Sequence, residues 1–222
     1  TFADGSVCTS IGTDAFQTCP KLTSINIPDG VTTIGNAAFE DCYNLISINI
    51  PAGITIISNY VFQGCSSLTS INIPAGVTNI GNTAFGNCTS LATVTFENPN
   101  NLTTLGTDIF TPTGKIKTVY YNIYSSELST GALNIQSQIN VANNPEPNYI
   151  YVYTESGITY TTDISGADAY VSIANTNISG AGTILSSVDI SGNTYQVTSI
   201  GSNAIQNCTT LTSITIPAGV TS

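Results

Sequence analysis

A 23-residue period governs this chain. Residues 22–44 read LTSINIPDGVTTIGNAAFEDCYN, residues 45–67 read LISINIPAGITIISNYVFQGCSS, and residues 68–90 read LTSINIPAGVTNIGNTAFGNCTS. Phe16, Phe39, Phe62 and Phe85 recur at this spacing, and so do Cys19, Cys42, Cys65 and Cys88. Self-similarity at a fixed period of about 20 to 50 residues marks a solenoid or other repeat array. In such an array each coil touches only its neighbours, so the core grows with coil number and length alone sets no domain count.

The coils can be written L-x-x-I-x-I-P-x-G-V-T-x-I-G-x-x-A-F-x-x-C. Ile25 and Ile27 alternate with Ser24 and Asn26, which predicts a short strand with one face inward. Pro28 lacks an N–H and ends that strand, and Gly30 supplies a turn. Val31 and Ile34 open a second short extended piece, after which Gly35 turns the chain again. Asn36 is placed to cap a single helical turn that carries Ala38, Phe39 and Cys42 inward. A helix that short is marginal alone and needs stacking to hold it. The six cysteines fall at positions suited to small apolar residues, so buried thiols are expected, with disulfides between stacked neighbours as the alternative.

The repeat then degrades. A fourth full coil runs over 91–110 and a fifth opens at Ile116. The expected organisation is coils over 1–124, a degenerate repeat or linker over 125–147, a β-rich lead-in over 148–199, and the start of a second repeat segment over 200–222. Ser126-Glu127-Leu128 opens a short helix through Leu133 or Ile139, and Asn143-Asn144-Pro145-Glu146-Pro147 is a breaker cluster. The aromatic, β-branched stretches 149–153 and 157–162 read as a hairpin. Two more strands are expected over 169–174 and 183–190, separated by Gly180-Ala181-Gly182.

The pattern LxxIxIPxxVxxIGxxAFxxC resembles the BspA-type, or Treponema-type, leucine-rich repeat. The resemblance is carried by residues 22–90 and 197–222, and more loosely by 1–122. It implies a β-dominant α/β repeat: a curved leucine-rich-repeat solenoid with short helical turns and a β-rich insert between two repeat segments. It also implies cell-surface placement and adhesion to host matrix or other cells. Ile205 in place of Phe, and Ile57-Ser58 in place of Ile-Gly, depart from the pattern.

Composition narrows the function. Charged residues make up 7% of the chain, against about 25% in an average globular protein. Three basic residues and a net charge of −10 leave little to meet phosphates, so neither nucleic acid nor anionic lipid is an expected partner. No apolar run approaches the ~18 residues of a span, so no membrane insertion is expected. The chain starts at Thr with no visible signal peptide, which reads as a mature product or a fragment. Its polar, Lys-poor composition looks extracellular. With no His there is no common general base near neutral pH, and the 13 carboxylates are scattered through turns. No catalytic residue, metal site or cofactor is expected, and weak calcium binding would lack an oxygen-dense loop.

The binding candidates lie on the first strand of each coil. Its outward positions are Ser24 and Asn26, Ser47 and Asn49, Ser70 and Asn72, and Thr93 and Thr95. They predict an uncharged polar ladder with rungs about 4.8 Å apart. Three readings stand: a solvated face with hydrogen bonds between rungs, a recognition surface, or an ordered array that templates ice. Tyr120, Tyr121, Tyr124, Tyr151 and Tyr153 form a second group, either an aromatic interface or filling for wider strands. The leading expectation is non-catalytic extracellular adhesion to a host or neighbouring-cell surface protein or glycan. The alternative is a structural subunit that stacks head to tail through open solenoid ends into a filament.

Overall fold

The computed structural model describes residues 7–111, 116, 118–123, 128–142, 148–155, 158–163, 168–171, 180–190, 193–201, 204–205 and 208–220. The expectations for Ser126-Glu127 and for 143–147 lie outside these residues. The chain divides into two compact units, Thr1–Val119 with Ser129–Pro147, and Tyr120–Leu128 with Asn148–Ser222.

The first unit is built from two parallel ladders. The first-strand ladder comprises β2 (Ser24–Ile25), β4 (Ser47–Ile48), β6 (Ser70–Ile73) and β8 (Thr93–Phe96), and β10 (Thr118–Ile123) begins beside β8. Consecutive coils are joined by Ile46 N–H to Thr23 O (3.0 Å), Thr69 to Ile46 (3.3 Å), Ala92 to Thr69 (2.9 Å) and Thr118 to Ala92 (3.3 Å). The second-strand ladder comprises β1 (Ser10–Ile11), β3 (Thr33–Ile34), β5 (Ile56–Ile57), β7 (Asn79–Ile80) and β9 (Thr104–Leu105). Here β1 pairs with β3, and β5, β7 and β9 pair in turn, all parallel. Between the ladders the apolar columns close the core. Leu45, Leu68 and Leu91, Val31, Ile54 and Val77, and Ile34, Ile57 and Ile80 are all buried.

The segment around each Phe differs from the expected capped helical turn. Two residues flanking it take the left-handed region. Asp14, Ala37, Tyr60, Thr83 and Asp108 have φ of 51° to 59°, and Thr18, Asp41 and Asn87, with Gly64, follow two residues after Phe. Left-handed φ breaks α-helix and costs about 1–2 kcal/mol per non-glycine residue. The stack offsets this cost by turning the backbone N–H groups toward the next coil. Ala37 N–H donates to Asn59 O (2.9 Å), Phe39 to Val61 O (2.9 Å), and Asp41 to Gln63 O (2.7 Å). The other peptides close i→i+3 turns, such as Glu40 N–H to Ala37 O (3.0 Å). The result is a third ladder.

Inside that ladder the Phe rings stack nearly parallel, one coil on the next. Centroids are 5.1 Å apart for Phe16–Phe39, 5.7 Å for Phe39–Phe62, 5.5 Å for Phe62–Phe85 and 5.3 Å for Phe85–Phe110, with interplanar angles of 2° to 15°. The six cysteines are free thiols, and Cys42, Cys65 and Cys88 are buried. Each buried thiol donates back one coil: Cys42 to Phe16 O (3.2 Å), Cys65 to Phe39 O (3.2 Å), and Cys88 to Phe62 O (3.1 Å). Gly81 belongs to the Ile-Gly corner because a Cβ there would lie 2.6 Å from Asn59 N. Ser58, at the same position one coil earlier, turns its side chain into a bond by donating to Ile34 O.

A helix, α1 (Thr130–Ala142), packs against β9 and the short 3-10 turn Pro99–Asn101. It starts later than expected because Ser129 is the cap, its Oγ accepting from Ala132 N–H (3.2 Å). Gly131 lets the helix approach closely, since a Cβ there would collide with Leu102 O. Gln138 meets the fourth coil as another peptide would. Its Nε2 donates to Gly106 O (2.9 Å) and its Oε1 accepts from Ile109 N–H (3.3 Å).

In the second unit, β11 (Asn148–Glu155) and β12 (Ile158–Asp163) form an antiparallel hairpin, and β13 (Asp168–Val171) adds to β12 antiparallel. The remaining elements are β14 (Gly180–Thr183), β15 (Ser187–Ile190), β16 (Asn193–Ile200) and β17 (Leu211–Thr215). The stretch expected as one strand over 183–190 is two. Gly180 and Gly182, read as a separator, lie within β14, where Gly180 takes φ +77° at a register shift. Repeat logic persists here in expanded form. β16 ends in the second-strand sequence Val197 to Ile200 and β17 carries the first-strand sequence Leu211 to Thr215, and each pairs in parallel with an earlier strand, β16 with β13 and β17 with β14. β15 forms an antiparallel hairpin with β16 on the side away from β13.

Candidate binding surfaces

The first-strand positions come into register as rungs. Ser24 pairs with Ser47, Ser70 with Thr93, and Asn72 with Thr95. Ser24, Asn26, Ser47, Asn49, Ser70 and Asn72 are exposed, while Thr93 and Thr95 are half-buried. Alternation explains the exposure: the intervening Ile48, Ile71, Ile73 and Val94 point into the core. Asn72 is already engaged, its Nδ2 donating to the Glu97 carboxylate (2.6 Å), which also accepts from Ala75 N–H (3.0 Å).

The tyrosine group does not form one surface. Tyr121 and Tyr151 are buried, with rings 5.8 Å apart at 51°, so these two fill the core of the second unit. Tyr120 is half-buried on β10, Tyr153 lies on β11 opposite Tyr160, and Tyr124 falls outside the described residues. Tyr160 is core as well, and its hydroxyl accepts from Leu185 N–H (3.0 Å).

The second-strand ladder carries a feature that sequence reading missed. Asn36 does not cap its own turn. Its Oδ1 accepts from Asn59 N–H (3.2 Å), Asn59 Oδ1 accepts from Asn82 N–H (2.7 Å), and Asn82 Oδ1 accepts from Thr107 N–H (2.8 Å). The signal was present as an Asn recurring after Ile-Gly or Ile-Ser in three coils. This column edges an open groove of about 410 Å³ that also includes Ile56, Asn79 and Thr104. Ile56 is 52% exposed.

Electrostatics are muted. Burial pushes the Cys88 thiol up to about 12, with its bond to the Cys65 backbone pulling the other way. Burial also raises Cys65 and Cys42. Among the described residues no group of His, Cys, Asp or Glu is arranged to hold a metal ion. No described helix is long and apolar enough to cross a membrane.

A model of the BspA type leucine rich repeat region matches residues 9–140 and 147–222 in six copies. No curated protein matches. Among solved structures, a T. pallidum leucine-rich repeat protein is 32% identical with a TM-score of 0.49, over 53% of this chain and 54% of that one. A leucine-rich repeat protein from Bacteroides ovatus is 24% identical with a TM-score of 0.41, over 96% and 65%. A leucine rich cell surface protein from Faecalibacterium prausnitzii is 22% identical with a TM-score of 0.36, over 96% and 66%. The chain thus spans between about half and two thirds of the length of these relatives. With the coil pattern matched across nearly its whole length, the chain belongs to the BspA-type leucine-rich repeat family.

Proposed function

We propose that the chain is a non-catalytic recognition module of a cell-surface protein and that it adheres through its first-strand ladder. The observation that carries this is the exposed, uncharged column of Ser24, Ser47 and Ser70 with Asn26, Asn49 and Asn72, in which Ser24 stands in register with Ser47 and successive coils are joined by backbone bonds. A rigid sheet face displays polar groups at fixed spacing, and repeat solenoids use such extended surfaces for binding. Family membership supports the reading, and so does the absence of His from the chain. The ligand is a protein or glycan on a host or neighbouring cell.

The test is adhesion of beads coated with the chain to immobilised matrix proteins and to cultured cells. The substitutions Ser47→Lys and Asn49→Lys place two charges on one exposed rung without touching the core, and Asn72 is left in its bond with Glu97. Attachment is expected to fall at least tenfold with an unchanged melting temperature. Undiminished attachment by the folded variant would remove this face as the site.

A further inference from the structure

We infer that the groove along the second-strand ladder binds an uncharged, β-linked oligosaccharide laid across successive coils. This builds on the reading of the chain as a recognition module but assigns a different face and a ligand class.

The inference starts from amide orientation. A side-chain carbonyl accepts and an amino group donates. The Oδ1 atoms of Asn36, Asn59 and Asn82 all accept backbone N–H groups from the following coil, so each Nδ2 must be the free end. Among the described residues none of these three Nδ2 groups has a protein acceptor. The groove edge therefore carries three N–H donor pairs, one per coil, at a rung spacing of about 4.8 Å. Each is already locked by its backbone bond, which removes much of the entropic cost of ordering a side chain on binding. The groove volume of about 410 Å³ is that of a small-ligand site.

The ligand's chemistry follows by elimination and fit. No Lys or Arg lines the groove, and the chain carries a net charge of −10, so sulfated or uronic sugars and phosphopeptides are repelled. An extended peptide repeats its same-side carbonyls about every 6.8 Å, two residues at about 3.4 Å each, which is out of step with the rungs. Peptide and protein partners also lean on aromatic or Arg anchors, and among the described residues the groove offers neither, its accessible apolar surface being the aliphatic side chains of Ile56 and Leu105. A neutral sugar chain presents ring and hydroxyl oxygens at close to one residue per rung, and an extended β-linked chain stays straight along the ladder. Its hydroxyls in turn find the side chain of Asn79, and its apolar ring face finds Ile56.

The experiment titrates the full, isotope-labelled chain with β-1,4-linked hexasaccharides of glucose and of N-acetylglucosamine, with a heparin hexasaccharide, and with a neutral extended peptide. The side-chain amide resonances of Asn36, Asn59 and Asn82 are followed. At least one neutral sugar is expected to shift all three. Asn59→Asp keeps the acceptor for Asn82 N–H but removes the donor, and is expected to weaken binding at least tenfold at an unchanged melting temperature. Ile56→Glu, at an exposed position, gives the same loss by a route independent of the Asn column. Ser47→Lys leaves sugar binding unchanged. The proposal is overturned if neither neutral sugar moves these amides, if heparin or the peptide binds here instead, or if sugar binding survives both Asn59→Asp and Ile56→Glu. If Ser47→Lys abolishes adhesion while no sugar binds the groove, this proposal fails and the first-strand reading stands.

Discussion

The three buried thiols show how one residue type serves this stack. Cys42, Cys65 and Cys88 are small enough for the inner corner beside Phe, and each S–H satisfies a Phe carbonyl one coil back. Burial raises their pKa, so the folded chain keeps protons that the unfolded chain releases from about 9.0 upward. The folded state then binds more protons than the unfolded one, and stability must fall as pH rises. The contribution is complete below about pH 9 and is lost on the way to about 12 for Cys88. Urea denaturation at pH 8 and pH 10.5 is expected to show this decline, and a Cys65→Val, Cys88→Val variant to show a shallower one. Tyrosine ionisation is common to both proteins, so equal slopes would reject the thiol explanation. A thiol reagent at pH 8 is expected to label Cys8, Cys19 and Cys208, which are half-buried, well before the three buried thiols.

At the level of elements, the Phe stack and the helix that covers the fourth coil make separable contributions. Phe62 is fully buried between two parallel rings, so Phe62→Ala is expected to cost about 3–5 kcal/mol. Phe62→Leu, which fills most of the space, is expected to cost less. Gln138→Ala leaves Ile109 N–H and Gly106 O without their side-chain partner, for about 1–3 kcal/mol. Hydrogen exchange at Ile109 reads that loss directly, and unchanged protection there would exclude the capping role. The strand ladders were legible because alternation at Ile25 and Ile27, and a stop at Pro28, are local signals repeated in phase. The Phe and Cys columns were legible for the same reason. The turn was not, because left-handed backbone at Ala37, Tyr60 and Thr83 contradicts local preference and is imposed by hydrogen bonds to the next coil. Asn36 was misread by the same logic, since a cap is the local use of Asn and a bridge between coils is a tertiary one. The β15–β16 hairpin and the split near Ile184 were hidden because Gly180 and Gly182, usual turn residues, serve here in a strand.

On the scale of the whole molecule, the described residues of a chain with a net charge of −10 are held together with little help from charge. Among the described residues no ion pair forms, and the coils are joined by backbone ladders, apolar columns and side-chain hydrogen bonds, a few of them to carboxylates such as Glu97. Like charges therefore act only to destabilise the compact state, an effect that salt screens as the Debye length falls from about 30 Å at 0.01 M to about 10 Å at 0.1 M. Calorimetry in 10 mM and 300 mM sodium chloride is expected to show a melting temperature higher by a few degrees at the higher salt. A protein stabilised by ion pairs would shift the other way, so a fall would overturn this account. The same titration distinguishes the ligand. Binding of a neutral sugar in the Asn groove involves no charge on one side, so its affinity should change less than about twofold over this range, whereas a cationic partner drawn by the net negative field would lose affinity steeply. A melting temperature that rises with salt while sugar affinity stays level would show that the net charge acts on the compact state and not on recognition in the Asn groove.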